Sequence, residues 1–327
     1  MDRKYNIDLC RVICIFAVVL VHVNAPFYKL SVIGENSFVA TNIMGASARF
    51  CVPLLLTISG SLFIGKEITI NVFYKKRLLP LVFVYYLWVF IYGMYKVYTM
   101  DFTGNFISVS HYHLEFIPNL IGIYLILPII NELLKNKKVF KLLYFITFIS
   151  AIMIQSIDLF FKISIYTDRY IIPFKNPYLF YFLSGYFFKN IKNKKAILLS
   201  FAFLFITIIA SLYKSIGVGS HIYYWGYGYI NITIITISLF VFFNSINMKN
   251  KCLNDKILNL SKCSFGIYIV HVFFIDLIIK YLGFIEVPFI IKVPLFTVIA
   301  FSFSYLFILL INLILPNNLK KIILYKY

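Results

Sequence analysis

Ten apolar runs, each close to the length of a membrane-spanning helix, are the feature that most constrains the fold of this chain. A helix needs about 20 mostly apolar residues to cross a bilayer. Runs of this kind, separated by short polar segments, lie near 7–27, 41–64, 78–98, 116–134, 139–158, 177–190, 196–214, 226–247, 264–282 and 288–315. The sequence therefore predicts an all-α, polytopic membrane protein of about ten transmembrane helices, with one membrane-embedded domain over residues 1–327.

The composition excludes a two-domain soluble enzyme. Of the 327 residues, 61% are hydrophobic and 13% are charged, which is about half the charged fraction of a typical soluble domain. The net charge of +19 does not indicate nucleic-acid binding, because the basic residues cluster in short segments between the apolar runs. Segments rich in Lys and Arg alternate with poorer ones, which predicts that both termini are cytoplasmic.

The first apolar run contains two ionisable side chains, Arg11 and His22. They lie three helical turns apart on one helix face, about 16 Å along the axis at about 1.5 Å per residue. Ionisable groups within a span cost several kcal/mol unless they are paired or face a polar cavity. Either the two side chains form a functional line of polar groups, or Arg11 pairs with Asp8 near the headgroups and His22 bonds to a neighbouring helix.

Further basic residues lie in or beside the second and third runs. Arg49 is too deep to reach the headgroups easily, so it either pairs with an anion such as Glu115 or binds substrate. Lys76 and Arg77 precede the third run and are typical of a cytoplasmic loop, although Arg77 could also reach a phosphate at the membrane surface.

Histidines also occur near the fourth run and in the ninth. His111, His113 and Glu115 alternate along one segment, but a zinc site would need further ligands, and we expect no metal. His271 lies within the ninth run, where a histidine is more often a packed hydrogen-bonding group than a catalyst.

Four segments, in order along the chain, resemble the integral-membrane acyltransferase-3 family. These are IDLCRVICIFAVVLVH, RFCVPLLLTISGSLF, HLEFIPNLIGIYLILPII and SFGIYIVH. The first is similar to the opening helix of that family, with a basic residue, a ten-residue gap and a histidine. One position departs from the family pattern, because Glu115 stands where a Trp commonly follows the His-Leu pair.

The resemblance implies a multi-pass acyltransferase of the cell (inner or plasma) membrane. It would move an acetyl or other short acyl group from cytosolic acyl-CoA to an extracytoplasmic sugar of a cell-surface or lipid-linked polysaccharide, with O-acetylation as the expected product. Acetyl-CoA would be a co-substrate, and no bound cofactor and no nucleic acid are expected. As a stand-alone member without a fused hydrolase-like domain, the protein would transfer the group directly or pass it to a separate extracytoplasmic transferase.

The resemblance also implies roles for individual residues. His22 becomes the catalytic histidine, and Arg11, on the same helix face, becomes a catalytic or conduit residue. Acyl-CoA would be bound by Arg11, Arg77 and Lys76. The acceptor, or the residues around it, would involve Arg49, His113, Glu115 and Ser59.

Two other classes of function remain open at this stage. A polysaccharide exporter or flippase would also need polar residues within the membrane, and a structural or sensory membrane protein is a third interpretation. The sequence does not separate a general-base role of His22 from a covalent one, and it leaves the acceptor open.

Overall fold

The computed structural model describes residues 4–67, 69–99, 112–161, 174–218, 224–316 and 320. Within these ranges the chain is helical and contains no β-strand. The helices are α1 (Tyr5–Leu30), α2 (Asn36–Ala48), α3 (Cys51–Phe63), α4 (Ile70–Phe73), α5 (Leu79–Tyr98), α6 (Phe116–Leu133), α7 (Lys137–Phe148), α8 (Ile154–Phe161), α9 (Tyr178–Phe188), α10 (Ala196–Val218), α11 (Ile230–Asn244), α12 (Lys251–Leu282) and α13 (Phe289–Ile314).

Eight helical stretches of the described chain are long and apolar enough to cross a membrane. They are Tyr5–Leu30, Asn36–Phe63, Ile70–Tyr98, His113–Leu133, Lys137–Phe161, Ala196–Gly217, Lys251–Leu282 and Phe289–Ile314. The fold is therefore that of the predicted all-α polytopic membrane protein.

The runs predicted near 177–190 and 226–247 form the shorter helices α9, of 11 residues, and α11, of 15 residues. At about 1.5 Å per residue, neither reaches the roughly 30 Å thickness of a bilayer core. The number of ten crossings and the cytoplasmic position of both termini therefore stay predictions.

The second membrane stretch is interrupted where Arg49 and Phe50 separate α2 from α3. Pro53 lies four residues after Arg49 and has no N–H, so it cannot donate the helical hydrogen bond that the Arg49 carbonyl would accept. The regular pattern resumes at Leu54, whose N–H donates to the Phe50 carbonyl at 2.9 Å. The proline therefore accounts for a turn that carries Arg49 within a buried stretch.

A second local deviation precedes α5. Residues Tyr74–Leu78 form a π-helical turn that contains Lys76 and Arg77. Pro80 follows in the first turn of α5 and again lacks the N–H of a regular helix. Widened turns of this kind often occur at functional sites.

Helices α3 and α9 pack with almost no space between their backbones. A Cβ atom added to Gly60 would lie 1.7 Å from the Phe182 carbonyl oxygen, and one added to Gly185 would lie 2.1 Å from the Thr57 carbonyl oxygen. Small residues permit this close approach of membrane helices. The short α9 is thus held tightly against α3, which forms one wall of the site described next.

Helix α1 is central in the bundle and contacts α2, α3, α11, α12 and α13. Its buried side chains include Val18, Val19 and Val23. Because neighbours surround α1 on several sides, its polar residues Asp8 and Asn24 are buried.

Candidate active site

Arg11 lines a cavity of about 670 Å³ between α1, α3, α6, α12 and the π-helical turn before α5, called here the Arg11 cavity. This volume lies within the roughly 300–1,000 Å³ typical of small-molecule sites. The cavity is lined by Arg11, Ile15, Leu55, Ser59, Leu62, Phe63, Lys66, Arg77, Phe116, Leu120, Tyr124, Ser261, Lys262, Ser264, Phe265 and Tyr268. The lining contains four basic side chains and no acidic one, so the cavity suits an anionic ligand with an apolar portion.

A short polar network fixes the Arg11 side chain at this cavity. Nη1 of Arg11 donates hydrogen bonds to Oδ1 of Asp8 at 3.1 Å and to Oγ of Ser261 at 3.0 Å. The Ser261 hydroxyl donates to the same Asp8 oxygen at 2.7 Å. Asp8 is 4% exposed, so its carboxylate offsets part of the Arg11 charge and ties α1 to α12. The sequence interpretation of an Asp8–Arg11 pair is confirmed, and the same arginine also lines the cavity.

Phe63 brings two further cations to the Arg11 cavity. The centre of its ring lies 6.0 Å from Cζ of Arg77 and 5.9 Å from Nζ of Lys66. Contacts of a cation with an aromatic face stabilise by about 0.5–1 kcal/mol where exposed. Phe63 therefore helps to hold two positive side chains on the same cavity as Arg11.

His22 lines a second, smaller cavity of about 230 Å³, called here the His22 cavity. Its lining residues are Val18, Val21, His22, Arg49, Cys51, Val52, His113, Glu115, Phe116, Tyr178, Tyr227 and Tyr268. Two imidazoles, a guanidinium and a carboxylate thus share a small space with three tyrosines. These groups can bind a polyhydroxylated ligand, exchange a proton with it and stabilise a negative charge.

Arg49 enters the His22 cavity from the break between α2 and α3. Cζ of its guanidinium lies 5.1 Å from the centre of the Tyr227 ring. Its buried Nε atom has no hydrogen-bond partner, and no ion pair joins Arg49 to Glu115, which also lines the cavity. The alternative in which Arg49 serves to pair with Glu115 is therefore not what the structure shows. A buried guanidinium with an unused donor can bind an anionic or oxygen-bearing ligand.

His113 and α12 hold each other in place. Nε2 of His113 lies 3.1 Å from the Ile269 carbonyl oxygen, and the Tyr92 hydroxyl donates to the same oxygen at 2.7 Å. In return, the Tyr268 hydroxyl donates to the His113 carbonyl. His113 is 3% exposed. The predicted acceptor-site histidine therefore lines the His22 cavity, with its ring held by a carbonyl of α12.

The two cavities are adjacent and share the side chains of Phe116 and Tyr268. These rings lie edge to face, with their centres 5.9 Å apart. Arg11 and His22 therefore face neighbouring compartments separated by two aromatic side chains, as one line of polar groups along α1 requires.

The other predicted site residues do not all line a cavity. Ser59 lines the Arg11 cavity, where its hydroxyl donates to the Leu55 carbonyl at 2.9 Å, so it lies away from Arg49. Lys76 is exposed and is not part of the cavity lining, unlike its neighbour Arg77. His111 lies outside the described residues.

Two residues of α12, Tyr268 and His271, were not predicted as site residues from the sequence. Tyr268 lines both cavities, and the His271 ring centre lies 5.1 Å from that of His22. The rule that drew attention to Arg11, that ionisable groups within a span are expensive, applies equally to His271 and could have identified it.

The fold and the cavities define a polytopic membrane protein with a polar interior suited to two ligands. Residues 4–312 match the family model described as an acyltransferase domain, acyltransferase-3. The chain belongs to this family and is a membrane acyltransferase. No curated protein and no solved structure gives a significant match to it.

Proposed function

We propose that this acyltransferase moves an acetyl or other short acyl group from cytosolic acyl-CoA to a hydroxyl of a sugar on the opposite side of the cell membrane. The acceptor is a cell-surface or lipid-linked polysaccharide. The observation that supports this proposal is the pair of adjacent cavities, one basic and one containing His22, on either side of Phe116 and Tyr268.

The Arg11 cavity has the chemistry expected for acyl-CoA. Its basic side chains, Arg11, Lys66, Arg77 and Lys262, suit the phosphates, since guanidinium groups in particular bind phosphate oxygens through paired hydrogen bonds. Its apolar wall suits the extended arm that ends in the thioester. The arm would reach the His22 cavity by passing between Phe116 and Tyr268.

The His22 cavity has the chemistry expected for the sugar. Tyr178 and Tyr227 offer aromatic faces and hydroxyls, and Glu115 offers a hydrogen-bond acceptor. The volume of about 230 Å³ is below the range common for drug-sized ligands. It therefore fits the reacting sugar ring, while the rest of a polysaccharide would stay outside.

His22 would act in one of two ways. As a general base, it takes the proton of the acceptor hydroxyl while the hydroxyl oxygen bonds to the acyl carbon. The carbon–sulfur bond breaks, and the proton passes to the CoA thiolate. As a nucleophile, the unprotonated ring nitrogen of His22 first bonds to the acyl carbon while the carbon–sulfur bond breaks and CoA leaves as the thiolate. The acceptor oxygen then bonds to the acyl carbon while the bond to the imidazole breaks, and the proton of the acceptor hydroxyl passes through the imidazole to the thiolate.

Arg49 would stabilise the oxyanion that both routes form. Its guanidinium lines the His22 cavity, and its Nε donor has no partner in the protein. A positioned donor of this type is worth about 10²–10³-fold in rate in other enzymes.

Mass spectrometry of surface glycans tests the proposal. Cells that lack the gene would be supplied with the wild-type protein or with His22→Ala, at equal levels in the membrane. We expect acylated glycan only with the wild type, and equal amounts of surface glycan in all strains. Loss of surface glycan without the gene, with unchanged acylation of the remainder, would instead identify an exporter.

A further inference from the structure

His271 lies next to His22 and does not line the His22 cavity. It is fully buried in α12, and its ring centre is 5.1 Å from that of His22 with the planes inclined by 45°. His22 lines the cavity and His271 does not. His271 can therefore affect the reaction only through a neighbour that lines the cavity, and His22 is the nearest imidazole to it.

The position of one hydrogen atom on His271 follows from its backbone contact. Nδ1 of His271 lies 2.6 Å from the carbonyl oxygen of Tyr268, one helical turn earlier. A carbonyl oxygen can only accept a hydrogen bond, so Nδ1 holds the hydrogen. In the neutral ring, Nε2 is then the atom with a lone pair.

The surroundings of His271 keep this arrangement fixed. His113, with its ring centre 5.3 Å from that of His271, is itself held by the Ile269 carbonyl. The charged groups that share the His22 cavity are Arg49 and Glu115. The α12 backbone thus orients two imidazoles around His22, and His271 is the nearer one.

We propose that His271 is a positioning residue for His22, in that its Nε2 accepts a hydrogen bond from a ring N–H of His22. The structure does not hold this hydrogen bond as formed; with the ring centres 5.1 Å apart, a rotation of the His22 ring brings the two nitrogens to about 3 Å. With one nitrogen of His22 engaged in this way, the other nitrogen is unprotonated and faces the cavity. A reacting base oriented by a third group is a recurring arrangement in acyl transfer.

This inference rests on the proposed role of His22 in acyl transfer, and it adds a residue that fixes which His22 nitrogen reacts. It applies to both routes, because a base and a nucleophile each need a lone pair directed at the cavity. It also predicts that kcat depends more on the hydrogen-bond acceptor of His271 than on the volume of its ring.

Two substitutions separate these properties. His271→Gln places an amide oxygen near the position of Nε2 and keeps an acceptor, whereas His271→Phe fills the ring volume without one. Val272→Ala, a change at a neighbouring buried position of the same helix, controls for general destabilisation. All variants would be purified as folded protein by size-exclusion chromatography.

The first readout is steady-state acyl transfer. We expect His271→Phe to lower kcat by about 100-fold, the scale seen when the partner that orients a functional histidine is lost. The KM for the acyl donor should stay nearly constant, since His271 does not line the donor cavity. His271→Gln should recover a large part of the lost kcat, and Val272→Ala should retain wild-type kcat.

The second readout needs no acyl donor. Diethyl pyrocarbonate transfers a carbethoxyl group to an unprotonated imidazole nitrogen, and peptide mass spectrometry locates the product at His22. We expect the reaction at His22 to slow in His271→Phe and to be partly restored in His271→Gln. If this pattern holds while the wild type transfers no acyl group, the positioning role stands and the proposed function fails.

Two results would overturn the inference. The first is a His271→Phe protein with wild-type kcat and wild-type reactivity of His22. The second is a fall in kcat that is equal in His271→Gln, His271→Phe and Val272→Ala. That result would make His271 a packing residue only.

Discussion

The rings of Phe116 and Tyr268 meet edge to face, with their centres 5.9 Å apart, and together they separate the Arg11 cavity from the His22 cavity. Tyr268 is further fixed by the hydrogen bond from its hydroxyl to the His113 carbonyl. Phe116, in the first turn of α6 and only partly buried, is the partner with more room to move. An acyl chain that travels from one cavity to the other would have to pass this pair.

A larger side chain at position 116 should therefore obstruct acyl transfer. We expect Phe116→Trp to lower kcat by at least about tenfold, because small displacements of a reacting group have effects of this size or larger. Binding of the donor to the Arg11 cavity should be retained. The measurement is initial transfer rate against donor concentration.

Phe90→Trp provides the matched control for this substitution. Phe90 lies on α5 and is 55% exposed on the outer surface of the bundle, so the same change there should leave transfer unaltered. A Phe116→Trp protein as fast as the control would show that the acyl group does not travel between these two rings.

Loss of the Arg11 side chain should weaken donor binding. Hydrogen bonds to charged groups contribute about 1.5–3 kcal/mol, so Arg11→Ala should raise the KM for acyl-CoA by about tenfold or more. Removing the guanidinium also deletes the hydrogen bonds from Arg11 to the buried Asp8 carboxylate and to Ser261. A lower melting temperature should accompany the change in KM.

Lys256→Ala is the control for Arg11→Ala, because it removes an exposed cation from the part of α12 near Ser261. It tests whether the loss of one positive charge is enough to change the KM. We expect its KM and its melting temperature to match those of the wild type. An equal rise in KM for both variants would indicate a general electrostatic effect instead of a specific phosphate contact.

The contact between α3 and α9 predicts a strong effect of a single methyl group. In Gly60→Ala, the new Cβ would lie 1.7 Å from the Phe182 carbonyl oxygen, so the helices must separate. Overpacking of this kind typically costs about 1–3 kcal/mol. We expect a clear fall in the melting temperature in detergent, together with loss of activity, since α3 lines the Arg11 cavity.

Gly122→Ala in α6 is the control, because nothing lies within 4 Å of the added Cβ. Replacing a helical glycine with alanine at such a site is expected to stabilise by about 0.5–1 kcal/mol. Equal melting temperatures for the Gly60 and Gly122 variants would contradict the close packing described.

Most of the helical architecture could be predicted from the sequence, because the apolar runs are long and end at charged loops. The interruption at Arg49 was not predicted, since Pro53 in the middle of a run is compatible with either a kink or a complete break. The early start of α12 at Lys251 was also missed, because its first turns are polar and fall below any criterion based on apolar length.

The site was predictable only as far as it lies along one helix. Helical periodicity placed Arg11 and His22 on one face, and the structure shows them at adjacent cavities. Which residue of α12 approaches His22 depends on the packing of helices far apart in sequence, so the place of His271 could not be derived from spacing. For the same reason Ser59 was expected at the acceptor site, whereas it lines the Arg11 cavity.

Transfer across the bilayer can be measured directly in proteoliposomes of known protein orientation. Acyl-labelled acyl-CoA would be supplied only on the side of Arg11, and the saccharide acceptor only on the side of His22. We predict labelled saccharide with the wild type, and at least about 100-fold less with His22→Ala, as expected for loss of a catalytic base. Labelling only when donor and acceptor share one side, or equal labelling by His22→Ala, would contradict the proposed passage of the acyl group from Arg11 to His22.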